Sequence, residues 1–130
     1  GSWIELAMSG DYAGIFIDTA EKSYTEEYLQ KSRWFFPIVS KMSTPKEAER
    51  FLIMAKACTS HDSHAELSKI KCPTLVIGGK RDKIVTGEAS EMIAKEIAGS
   101  ELFMYEQYGH GLYEEAKDFN ERVITFLREE

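Results

Sequence analysis

Cys72-Pro73-Thr74-Leu75-Val76-Ile77-Gly78-Gly79-Lys80-Arg81-Asp82 is the stretch that decides how this chain folds. Thr74 to Ile77 is a continuous apolar run, the pattern of a strand covered on both faces. A pair of glycines then turns the chain toward a carboxylate at Asp82. Ala89, Met92, Ile93 and Ile97 mark one face of a helix that ends at Gly99, a residue suited to the position after a helix terminus. Leu102-Phe103-Met104-Tyr105 follows as a second strand. Twenty-seven residues beyond Asp82 stands Gly109-His110-Gly111. Leu112, Ala116, Phe119, Val123, Phe126 and Leu127 trace the apolar stripe of one last helix. A strand, a helix and a strand of this length predict a parallel pair with a right-handed crossover. Residues 71–130 therefore read as α/β.

That topology brings an acid and an imidazole together. Adjacent parallel strands lie about 4.8 Å apart, so loops leaving their C-terminal ends can touch. Asp82 follows the first strand and His110 the second, on the edge where open α/β sheets bind ligands. An aspartate so placed can hold an imidazole in one tautomer and stabilise its protonated form, while the imidazole moves a proton to and from a nucleophile. Lys80, Arg81 and Lys83 flank Asp82 and should favour its ionised form. Gly109 and Gly111 allow a tight backbone around the ring. The plainer alternative makes Asp82 a turn residue and His110 an ordinary loop histidine.

Ahead of this unit, residues 3–69 are helical by pattern. Trp3 to Ala7 and Tyr12 to Thr19 read as short helices broken at Ser9-Gly10. Ser23-Tyr24-Thr25-Glu26 fits a capping box opening a helix to about Ser40, disturbed at Pro37. Thr44-Pro45-Lys46-Glu47 adds proline at the first helical position to a second such box. From there Ala48, Phe51, Leu52, Ala55 and Cys58 share a face, and Ile53 and Met54 off that face predict packing on two sides. Ser63-His64-Ala65-Glu66 starts a short final helix.

Composition narrows the function classes. The chain has 130 residues with 43% hydrophobic and 12% aromatic content, enough for a globular core. Its net charge of −6, with no basic run, argues against a nucleic-acid partner. Cys58 and Cys72 form no disulfide framework, so a reducing cytoplasm is the expected setting. No apolar run approaches the roughly 20 residues that span a bilayer, so no membrane partner is expected. Nothing near the start reads as a cleavable signal, and Gly1-Ser2 reads as a cloning remnant. Cys58-x-x-His61-x-x-His64 lacks a fourth ligand and a common helical face, so no metal is expected. Trp34-Phe35-Phe36 with Tyr24 and Tyr28 either line a pocket or pack helices together, and packing is the favoured reading. Glu114-Glu115 reads as a first-turn complement to the helix dipole.

The tract from Cys72 through Gly79 into Asp82, and Tyr108-Gly109-His110-Gly111 leading into an amphipathic helix, resemble the α/β-hydrolase superfamily. The resemblance covers essentially the whole chain. It implies that residues 1–70 are a helical cap or lid and residues 71–130 the last two strands and helices of the core. It makes Asp82 the triad acid and His110 the triad base, in the chain order that fold uses. It implies a small-molecule ester or related acyl substrate and no cofactor.

The pattern also departs from the family. No Gly-x-Ser-x-Gly elbow occurs; Ser9 and Ser90 lack the flanking glycines. The oxyanion turn and earlier strands are missing, and Ile84-Val85-Thr86-Gly87 stands where a proline is common. An acid and a base without a nucleophile cannot form an acyl-enzyme. The expectation is a truncated α/β hydrolase, a C-terminal fragment inactive alone. Its free strand edge predicts a homodimer, joined through that edge or by exchanged cap helices. The alternative is a non-catalytic helical protein-interaction module with a vestigial hydrolase-like core.

Overall fold

A computed structural model describes residues 2–42 and 48–129. The box at Thr44-Pro45-Lys46-Glu47 lies outside the described residues. The helical part begins with α1 (Ser2–Ser9) and α2 (Tyr12–Ser23), separated at Gly10, which takes φ +80°. The Asp11 side chain accepts from Gly14 N at 2.8 Å and so starts α2. α3 (Glu26–Ser32), a 3₁₀ turn (Arg33–Phe35) and α4 (Phe36–Met42) follow, then α5 (Ala48–Ser60) and a second 3₁₀ turn (His64–Lys69).

Three helix boundaries differ from expectation. The start predicted at Ser23 falls at Thr25, whose hydroxyl accepts from Tyr28 N at 3.3 Å, while Ser23 is buried at the end of α2. The single helix expected up to Ser40 is divided by the 3₁₀ turn, which places Pro37 in the first turn of α4, where its missing N–H costs least. The last helix is likewise divided, into α7 (Leu112–Glu115) and α8 (Phe119–Glu129). Ala116 is extended there, and Asp118 accepts both the Tyr105 hydroxyl at 2.9 Å and Arg122 Nε at 2.8 Å. A short carboxylate that anchors the next turn competes with continuation of the helix before it. α5 packs on one side only: Ile53 and Met54 are exposed, contrary to the two-sided packing expected.

The strand–helix–strand unit of the α/β part matches its expectation. β1 (Leu75–Gly79) and β2 (Glu101–Tyr105) pair in parallel, with Leu75 opposite Glu101 and Gly79 opposite Tyr105. α6 (Gly87–Glu96) connects them and packs against both strands. The pair is the whole sheet among the described residues. Its core is Tyr105, Leu112 and Ala116, with Ile77, Phe103, Tyr108 and Phe119 packed around them. Phe103 lies edge-on to Tyr105 at 4.9 Å, and the Arg122 guanidinium sits 3.5 Å from the Phe103 ring centre. Among the described residues no large side chain is completely enclosed, and Trp34, Met42 and Leu127 are largely exposed. The apolar surface exceeds what this much chain can cover.

Candidate active site

Asp82 and His110 meet at the C-terminal tips of β1 and β2. The strand ladder continues past both tips: Lys80 N donates to Tyr105 O at 2.9 Å, and Arg81 N donates to Tyr108 O at 3.0 Å. These bonds run the two loops side by side. Gly79 makes the approach possible, because a Cβ there would lie 2.5 Å from Tyr108 O and 2.6 Å from Gly109 O. On the far side of the histidine, Gly111 N donates to Ser23 O at 2.8 Å, tying the loop to the end of α2. His110 is therefore held between its own sheet and the helical part.

Asp82 Oδ2 lies 2.8 Å from His110 Nδ1. Asp82 Oδ1 accepts Ile84 N at 2.7 Å and Val85 N at 3.0 Å. The carboxylate side chain is 8% exposed, against 43% for the imidazole. Burial works against ionisation of Asp82, but the hydrogen bond to His110 and the Val85 and Ile84 amides outweigh it. The carboxyl is held below the ordinary carboxylate range. The flanking cations do not do this, contrary to the sequence reading: Lys80 pairs with Glu91 instead. With Nδ1 engaged, Nε2 is left for a reacting group. No serine hydroxyl hydrogen-bonds His110 among the described residues, and Ser90 packs beneath Gly78.

The imidazole borders two hollows. One, of about 500 Å³, runs along β1 past Asp82 to Leu112, Val123 and Phe126. The other, of about 550 Å³, lies between α2–α4 and the His110 loop. Tyr24, Tyr28, Phe35 and Phe36 line this second hollow, so four of the five rings in question face a cavity as well as packing together. Tyr24 stacks on Tyr28 at 4.7 Å, and Phe36 lies edge-on to Phe16 at 5.3 Å. Trp34 is 78% exposed.

The sequence reading missed the joint between the two parts. Glu114 accepts the Tyr28 hydroxyl at 3.3 Å, and Glu115 accepts Thr25 N at 3.1 Å and the Thr25 hydroxyl. As first-turn residues both acids fit dipole complements, yet they bridge segments 86 and 90 residues apart. Only their position, one helical turn after the histidine, could have signalled this. Among the described residues no three His, Cys, Asp or Glu side chains converge on a metal position. His61 lies past the end of α5, and His64 Nε2 sits 4.0 Å from Glu96 Oε1.

With this geometry in view, the profile of the TAP-like protein family matches residues 52–130. The chain belongs to the α/β-hydrolase superfamily. It is 31% identical over 112 residues to a 2-hydroxy-6-oxo-6-phenylhexa-2,4-dienoate hydrolase of Comamonas testosteroni, a match covering 84% of this chain and 37% of that protein. It superposes on an esterase from Exiguobacterium antarcticum with a TM-score of 0.79 and 27% identity, covering 98% of this chain and 46% of the esterase. The enol-lactonase of Burkholderia xenovorans shares the fold at a TM-score of 0.81 and 21% identity, over 96% of this chain and 48% of the lactonase. The chain thus spans about half the length of these hydrolase structures. Among the described residues no helix is long and apolar enough to cross a membrane.

Proposed function

We propose that residues 71–130 supply the acid and the base of a serine-type α/β-hydrolase site, with residues 1–70 as the lid over its acyl pocket. One observation carries this reading: the 2.8 Å contact between Asp82 Oδ2 and His110 Nδ1 at neighbouring strand tips. That contact fixes the proton on Nδ1 and leaves Nε2 basic. Nε2 can take the proton of a serine hydroxyl as it attacks an acyl carbon, then return it to the departing alcohol. Asp82 stabilises the imidazolium formed between those steps. The substrate class is a small ester or related acyl compound, in keeping with the hydrolases and esterase the chain resembles.

The chain alone is inactive in this reading, because it holds no nucleophile elbow. A partner half-domain carrying the serine would complete the site along the outer edge of β1. Two parallel strands are a marginal sheet in water, so the isolated chain associates with itself through that edge. Exposed, unpaired Cys58 and Cys72 suit a reducing compartment such as the cytoplasm.

The test is hydrolysis of 4-nitrophenyl acetate and butyrate by the chain alone and by a polypeptide joining it to the N-terminal half of its parent. Activity should appear only in the joined protein and fall by about 10³-fold or more in His110→Ala. Turnover unchanged by that substitution would end the proposal. The exposed Trp34 and Met42 favour a second reading, a protein-interaction surface. It would be preferred if the joined protein bound a partner chain but hydrolysed nothing.

A further inference from the structure

The hollow between α2–α4 and the His110 loop is aromatic, and among its lining residues there is no lysine or arginine. The charged side chain on its wall is Glu114. Of the phenols on its wall, that of Tyr28 is turned to Glu114 and so is not free to donate to an anion. Tyr28 donates to Glu114 Oε2 at 3.3 Å. Burial raises the Tyr24 phenol well above its ordinary pKa, and the neighbouring Glu114 carboxylate raises it further. Both phenols therefore stay protonated, and that of Tyr28 is engaged. Two cations of the surrounding helices are paired with acids: Lys22 Nζ is 2.6 Å from Asp18, and Arg33 reaches Glu21 at 3.5 Å.

We infer that the part of the acyl pocket built by this chain selects uncharged aryl or alkyl groups and turns away groups bearing a free carboxylate, with Glu114 as the discriminating residue. This rests on the assignment of the hollow as the acyl pocket. The physical reason has two parts. Aromatic walls reward apolar surface removed from water. A carboxylate entering the same space would lose hydration, find no lysine or arginine on the wall and face a like charge. The preference sets this chain apart from its Comamonas relative, whose named substrate is a dienoate.

The test needs binding only, so it is separable from hydrolysis by the joined protein. The chain is titrated with methyl phenylacetate and with phenylacetate at pH 7, following the NMR signals of the Trp3 indole and the Tyr24 ring. Both residues line the hollow. The neutral ester should shift these signals, with the anion about tenfold weaker or more. Glu114→Gln, which keeps an acceptor for Tyr28, should narrow the gap. Glu114→Lys should reverse it. Equal or tighter binding of phenylacetate by the unaltered chain would overturn the inference. So would a gap that Glu114→Gln leaves unchanged, or no shift with either probe.

Discussion

Thr25 is held by Glu115 across ninety residues of sequence: its backbone N–H donates to one carboxylate oxygen at 3.1 Å and its hydroxyl donates to the other. The same hydroxyl caps α3 by accepting Tyr28 N at 3.3 Å. One side chain thus starts a helix and fastens it beside the candidate base.

Thr25→Ala should therefore cost more than a cap alone. A lost cap is worth about 1 kcal/mol, and a charge-assisted bond adds about 1–2 kcal/mol. The expected loss is about 2–3 kcal/mol by urea denaturation, with Thr25→Ser restoring most of it. A loss under about 0.5 kcal/mol would show that the joint contributes little.

The Asp82 contact makes a pH prediction. The folded state holds this carboxyl below the ordinary value of 3.8. A depressed folded pKa means the unfolded chain binds the proton more readily. The contribution to stability is then complete above that ordinary value and is lost as pH falls through the folded pKa. The unaltered chain should exceed Asp82→Asn in stability at pH 6, and the difference should shrink below pH 4. A difference independent of pH would contradict an ionised Asp82 in the folded state.

Gly79→Ala should separate the acid loop from the histidine loop. The added methyl meets two backbone carbonyls, Tyr108 O at 2.5 Å and Gly109 O at 2.6 Å, and backbone cannot rotate away. A loss of about 1–3 kcal/mol is expected, together with broadened His110 ring resonances. Unchanged thermal stability would refute the close approach.

Thr86 carries φ +66°, in a region where a branched side chain is strained. Thr86→Gly should gain about 1 kcal/mol after the greater freedom of the unfolded chain is counted. Thr86→Pro should lose about 3 kcal/mol, because proline fixes φ near −65°. That holds even though proline is common in this part of the loop in the superfamily that the chain resembles. Melting temperatures of the two variants decide the point: a stabilised proline variant would contradict the backbone described here.

Local signals carried the α/β half of the fold. The run at Thr74–Ile77, the glycine turn and the spacing to His110 placed both strands, their parallel pairing and the Asp82–His110 contact. Short-range chemistry, by contrast, could not show which acids reach across the molecule. Glu114 and Glu115 look like helix-start charges until Thr25 and Tyr28 are set beside them. The break at Ala116–Asp118 escaped for the same reason. The apolar stripe continues through it, and only the Tyr105 hydroxyl on a neighbouring strand shows why the helix stops.

The bond from Gly111 N to Ser23 O fastens the backbone next to the imidazole to the last residue of α2. Any shift of that helix must either snap this tether or drag the ring away from its aspartate. Together with the Thr25–Glu115 and Tyr28–Glu114 bonds, this tether couples the position of α2 and α3 to the setting of the candidate base.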